Sequence, residues 1–181
     1  MRYRFPRLSF LMLLRNEALA SGDAEAVAKI RDLYEQHFHQ IFLEGDLSLN
    51  FGLVTPALDL VPVLQFLGDD AFADRLLRHA EKFAKTGGAA GAAAMMEVHA
   101  LRGEHESALH YVGALLQLGG FGWRLFIEQN QNLASIHALP AYQAMAANHR
   151  QQLSQQLQRL RQSEDPQQTC RQTFAAYSPP A

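Results

Sequence analysis

The chain has 181 residues, of which 48% are hydrophobic, with a formal net charge of -2 and a pI near 6.4. This length gives room for one domain with its own core, or for a stack of a few helical repeats, but hardly for two full domains. The slightly negative charge argues against broad binding of nucleic acid or of an anionic membrane, because both need a basic protein face.

Helix-forming residues dominate every long segment, and alternating β-branched runs are absent, so the predicted fold class is all-α. Glycines punctuate these segments and mark the helix ends and turns. The resulting pattern predicts helices near residues 7–20, 24–43, 55–67, 70–85, 89–102, 105–118 and 140–162.

The first helix, 7–20, overlaps a stretch with some features of a signal peptide, including a cleavage point after Ala20. Its apolar run is short, and residues 15–17, Arg-Asn-Glu, stand where a signal peptide would have small neutral residues. No stretch approaches the ~18 apolar residues that a membrane-spanning helix needs. We therefore expect a cytoplasmic protein with no membrane partner.

Two irregular stretches and one proline interrupt this pattern. Thr55 and Pro56 together are typical of a helix start, whereas Pro62 falls inside the third helix and should kink or break it. Residues 44–54 and 119–139 have no helical period, although apolar side chains in both should be buried. We expect loops there.

A step of 35 residues relates two helical hairpins, whose turns lie at Gly68 and Gly103. Each turn is followed by a helix with alanine in the same register, Ala73 in the first hairpin and Ala108 in the second. Small residues let helices approach closely, so we expect both alanines at tight helix crossings. Such hairpins bury one face each and need neighbours to cover the other.

This pattern resembles the tetratricopeptide repeat, and residues 101–109, Leu-Arg-Gly-Glu-His-Glu-Ser-Ala-Leu, are the clearest match. A third, weaker hairpin is centred on Gly22, so that the resemblance covers residues 8–118. It implies a short right-handed superhelix of hairpins. Residues 119–162 are similar to the closing segment of bacterial tetratricopeptide proteins, which often form the C-terminal part of signalling proteins with winged-helix, cyclase or kinase domains.

The resemblance also implies a partner-binding groove lined by the first helix of each hairpin. By register, the side chains in this groove would be Met12, Asn16, Leu58, Gln65, Ala93 and Glu97. Repeats that clamp a terminal carboxylate use Lys, Arg and Asn together, and we expect no cation beside Asn16. A carboxylate clamp is therefore not predicted.

Residues with catalytic or metal-binding chemistry occur without a functional spacing. His37 and His39 are two residues apart and so point to different faces of a helix, and no H-E-x-x-H motif occurs. The glycine-rich residues 87–91 lack the Lys and Ser/Thr of a phosphate-binding loop. Cys170 is the only cysteine. We expect no enzymatic activity, no cofactor and no metal.

The last predicted helix has an apolar stripe that ends with Leu153, Leu157 and Leu160. Its first half should cap the stack of hairpins, and its second half either extends that cap or pairs with another copy in a weak homodimer. Residues 1–162 are thus expected to form one helical-repeat domain, and the polar residues 163–181 a disordered tail.

These features favour a protein-protein interaction module, a scaffold or adaptor that binds another protein or peptide without catalysis. The alternative is a ligand-sensing regulatory domain derived from a bacterial transcriptional regulator or a cyclase-type signalling protein.

Overall fold

The computed structural model describes residues 5–43, 50–85, 87–117 and 127–162, with only the backbone described at 5–7 and 51. Within these ranges the regular elements are all helical, which confirms the predicted all-α class. Short 3-10 turns lie at His39–Phe42 and Gln131–Leu133. The α-helices are α1 (Phe5–Ser21), α2 (Ala24–Phe38), α3 (Phe51–Phe66), α4 (Asp70–Ala84), α5 (Gly88–Leu101), α6 (His105–Gln117), α7 (Ala134–His137) and α8 (Pro140–Gln162).

The helices pack in two layers. Each helix from α1 to α6 contacts the next one along the chain, and α1 also contacts α3, as α3 does α5. Helices α1, α3 and α5 therefore lie side by side in one layer, called the inner layer below, and α2, α4 and α6 pack against it. The 3-10 turn at Gln131–Leu133 lies on α3 and α5, and α8 packs on α6 and α7.

The hairpin turns at Gly68 and Gly103 have the same hydrogen-bond pattern. Asp69 N donates to Leu64 O at 2.9 Å, and Glu104 N donates to His99 O at 2.8 Å. Each glycine has a positive φ, which glycine adopts without a steric penalty at a helix C-terminus. The turns predicted at these two glycines are thus present, 35 residues apart.

Helix α3 begins earlier than predicted and is not broken. Asn50 caps it by accepting a hydrogen bond from the Gly52 N–H, so the predicted start at Thr55 is wrong, as is the predicted loop at residues 51–54. The helix continues through Pro62 because most side chains between Ala57 and Leu64 are fully buried. Their burial outweighs the ~3 kcal/mol that an interior proline costs.

Several sequence predictions lie wholly or partly outside the described residues. Residues 44–49 and 118–126 are among these, so the loop predictions are tested only in part. Within the second predicted loop, residues 131–137 form a 3-10 turn followed by the short helix α7, which corrects the expectation of an irregular chain there. The tail at 163–181, with Cys170, also lies outside.

Two apolar cores share α5. Ala94 and Val98 pack into the core formed with α1 to α4, whereas Met96 and Ala100 pack into a second core with α6, the residues after 127 and α8. The described helices include none that is both long and apolar enough to cross a membrane.

Candidate functional site

Three charged side chains are buried in the inner layer, one from each of its helices. Arg15 of α1 and Asp59 of α3 are each 1% exposed, and Glu97 of α5 is 7% exposed. Charged residues are almost never buried this deeply unless they are paired. We call these three residues, together with Asn130 and Asn132, the buried polar cluster.

Arg15 is the cation of the cluster. Its Nη1 donates to Asp59 Oδ1 at 2.8 Å and to the Asp59 backbone oxygen at 3.1 Å. Its Nε and Nη2 donate to Asn16 Oδ1 at 3.0 and 2.8 Å. The expectation that no cation lies beside Asn16 is therefore wrong, but this guanidinium is already engaged by Asp59 and Asn16 and is buried.

Asn132 connects the chain after residue 127 to the inner layer. Its Oδ1 accepts from Arg15 Nη1 at 3.0 Å, and its Nδ2 donates to Glu97 Oε2 at 2.8 Å and to Asp59 Oδ1 at 3.3 Å. Asn130 orients it, since the Asn130 Oδ1 accepts from the Asn132 backbone N–H at 3.0 Å. A single amide thus contacts one charged residue from each helix of the inner layer.

The cluster has two carboxyl groups for one cation, and this imbalance appears in the pKa values. Burial, and after it the charge of Asp59, raise the pKa of Glu97 to about 7, against smaller opposing effects of Asn132, Asn130 and Arg15. Burial also raises the pKa of Asp59, which Arg15 opposes. Because Arg15 lies on Asp59, the proton of the pair resides on Glu97.

Two buried oxygens next to this arrangement have no hydrogen-bond partner among the described residues. They are the Asp59 Oδ2 and the hydroxyl of Tyr34 in α2. The Asp59 charge contributes to the raised pKa of Tyr34, after burial.

The six residues predicted to line a partner groove lie in different environments. Leu58 is 1% exposed and packs in the first apolar core, and Glu97, which is 7% exposed, is covered by Asn132, so neither side chain is open to solvent. Gln65 is exposed, whereas Met12, Asn16 and Ala93 are half-buried. The groove stays a prediction, but the face it would occupy is partly covered by the chain itself.

The second half of α8 extends away from the packed helices. Tyr142 and Ala146 in the first half are buried in the second core, whereas nearly every side chain from residue 150 to residue 162 is exposed. Leu153 and Leu157 are 45% and 49% exposed, and Leu160 is half-buried. At 1.5 Å per residue, this half is roughly 20 Å long.

A search of the described ranges for three or more His, Cys, Asp and Glu side chains that could hold a metal ion found none. The expectation of a protein without metal is not decided by this and stays a prediction.

Sequence reasoning did not identify the cluster, although part of its signal was present. Arg15 falls on the same helical face as Leu11 and Ala18, both of which are buried, so a charge interrupts an apolar stripe. Asp59 likewise lies within an apolar run. Asn132 has no such context, because it comes from a segment without a helical period.

A scan against models of protein families, a search of curated proteins and a search of solved structures gave no match to this chain.

Proposed function

We propose that this chain is a non-catalytic interaction module, a short right-handed superhelix of tetratricopeptide-like hairpins that binds another protein or peptide. It acts in the cytoplasm as a scaffold or adaptor, without cofactor or metal. The two matching glycine turns and the two-layer packing support the tetratricopeptide-like architecture. The binding function depends on a different observation.

The exposed second half of α8 carries the proposal. A helix of this length is marginal in water when it stands alone, and its exposed leucines form one stripe at spacings of four and three residues. A partner helix would cover this stripe as in other helix-to-helix recognition. The basic residues Arg159 and Arg161 lie beside the stripe in the last turn.

The test is affinity capture with the full chain, followed by measurement of the dissociation constant with the purified partner. Replacing Leu153 and Leu157 with Gln should weaken binding at least tenfold, because the apolar contact is lost. Replacing Gln151 and Gln155 with Ala, on the opposite side of α8, is the matched control and should leave the affinity unchanged. Equal binding by both double variants would remove α8 from the interface.

A second candidate is the ligand-sensing regulatory domain, which the buried polar cluster favours. The cluster joins α1, α3, α5 and the chain after residue 127 through groups whose charge depends on pH. Sensing requires an element with two arrangements that a ligand can bias. Unfolding midpoints of the wild type, measured across a panel of small anions and cations, would rise with the sensed ligand and stay constant without one.

A further inference from the structure

Residues 127–137 lie across the inner layer and are held there by two kinds of contact. Ile127, Leu133 and Ile136 pack into the second core, against residues that include Met96 and Ala100. On the other side, Asn132 makes the hydrogen bonds to Arg15, Asp59 and Glu97 that tie this segment to α1, α3 and α5. The segment is therefore tied directly to the charged groups of the cluster.

The charges balance when the two carboxyl groups together hold one proton, and that proton belongs on Glu97 because Arg15 pairs with Asp59. With Arg15 and Asp59 ionised and Glu97 protonated, the buried cluster is neutral. Once Glu97, which is only 7% exposed, loses its proton, a second buried negative charge lies beside Asp59. The Arg15 guanidinium already pairs with the Asp59 carboxylate at 2.8 Å. A buried charge without a cation of its own is costly, and a local opening that admits water removes the cost.

The groups that face Glu97 come from several elements. Asp59 of α3 and Arg15 of α1 are the charged groups that act on its pKa, and Asn130 and Asn132 are neutral hydrogen-bond partners. The elements packed on α5 also include α4, α6 and α7. Among the described residues of these three helices, no charged side chain acts on the pKa of Glu97.

We propose that residues 127–137 are a proton-controlled latch over the inner layer, and that the carboxyl group of Glu97 is its switch. With the carboxyl group protonated the buried cluster is neutral, and the latch stays closed. Deprotonation favours an open state in which Glu97 and the rest of the polar cluster become accessible. This face includes part of the predicted groove, so the latch would regulate partner binding; only that last step rests on the proposed function.

Amide hydrogen exchange of the full chain, followed by mass spectrometry between about pH 5 and pH 8, tests the latch without any partner. After correction for the intrinsic pH dependence of exchange, peptides covering residues 127–139 should open more as pH rises. If opening returns the carboxyl to an ordinary pKa, the open fraction should rise on the order of 50-fold. Peptides from α4 should stay protected.

Two variants separate the switch from general stability. Glu97→Gln keeps the shape and the hydrogen bond to Asn132 but cannot ionise, and it should abolish the extra pH dependence. Glu81→Gln is the matched control, because the Glu81 carboxylate pairs with Arg102 away from the cluster, and it should behave like the wild type. An unchanged pH dependence in Glu97→Gln would overturn the proposal. It would also be overturned if, in the wild type, α3 and α4 lost as much protection with rising pH as residues 127–139.

Asn132→Ala tests the latch from its other side and does not depend on how well Glu97→Gln folds. It removes the hydrogen bonds to Arg15, Asp59 and Glu97 and leaves both carboxyl groups in place. Residues 127–139 should then exchange at least tenfold faster than in the wild type even at about pH 5, with α4 unchanged. Wild-type protection in this variant would show that Asn132 does not hold the segment closed.

Discussion

Gly91 lies where the end of α4 approaches α5 most closely. A Cβ atom added at this position would lie 2.5 Å from the backbone oxygen of Ala84, a separation that real Cβ atoms essentially never show. Since the obstacle is backbone, relief requires a shift of a whole helix. We predict that Gly91→Ala lowers the free energy of unfolding by about 1 to 3 kcal/mol, as overpacking does.

Gly113→Ala is the control for this prediction. It also lies inside a helix, but its added Cβ would meet only the Met145 Cε, at the ordinary distance of 3.7 Å. Alanine is the better helix former by roughly 0.5 to 1 kcal/mol, so this variant should be neutral or slightly more stable. Urea denaturation measures both variants, and equal midpoints would show that α5 has room to move.

Glu97 makes the stability of the folded chain depend on pH in a defined direction. Its pKa is about 7 when folded, against 4.5 for the ordinary group. Between these values the folded state holds a proton that the unfolded state has lost, so stability is highest below about pH 4.5 and falls as pH rises towards about 7.

Denaturant unfolding of Glu97→Gln tests this direction. We predict that the variant lacks this decline and exceeds the wild type at about pH 8 by on the order of 2 kcal/mol. The two proteins should be closest at about pH 5. A variant that is less stable than the wild type at both pH values would contradict the assignment of the proton to Glu97.

At the scale of single helices, the two alanines predicted at the hairpin crossings test whether the two hairpins share the register predicted from the sequence. Ala73 is 1% exposed and Ala108 is fully buried, as expected for small residues between closely packed helices. We predict that Ala73→Leu and Ala108→Leu each destabilise the fold by about 1 to 3 kcal/mol, measured by thermal melts. Ala71, which is exposed at the start of α4, provides the control, and unchanged midpoints in both variants would refute the register.

Most helix ends could be predicted from the sequence, but the start of α3 could not. The predicted ends of α1, α4 to α6 and α8 agree with the structure within two residues, because apolar periodicity and glycine turns are local signals. Helix α2 ends at Phe38, five residues before its predicted end, and a 3-10 turn follows it. The start of α3 was missed because Asn50 and Thr55 are both good caps, and the choice between them depends on which side chains tertiary packing buries. Local preference does not contain that information.

The polar cluster could not be predicted for a related reason. Asn132 is separated along the chain by 35 residues from Glu97, by 73 from Asp59 and by 117 from Arg15. Neither composition nor hydrophobic period connects residues at such separations. A charged residue within an apolar stripe indicates only that some other side chain of the fold pairs with it, not which one.

At the scale of the whole molecule, the projecting half of α8 determines whether two copies associate. Leu153, Leu157 and Leu160 follow the alternating spacing of a short coiled-coil seam. Each leucine contributes at most about 1.5 to 3 kcal/mol when fully buried, and all three are already at least half covered. Association itself costs an estimated 4 kcal/mol or more, so any homodimer through this seam is weak.

We therefore predict a concentration-dependent mass in analytical ultracentrifugation, with dimers appearing only at roughly micromolar protein or above. Replacing Leu157 and Leu160 with Gln should return the chain to the monomer mass while helicity by circular dichroism stays nearly intact, because both residues lie beyond the buried part of α8. The Gln151→Ala and Gln155→Ala pair should dimerise like the wild type. A wild type that is monomeric at every concentration would exclude self-pairing and leave the leucine stripe to a different protein. Loss of helicity in the Leu157 and Leu160 variant would show instead that these leucines stabilise the folded domain itself.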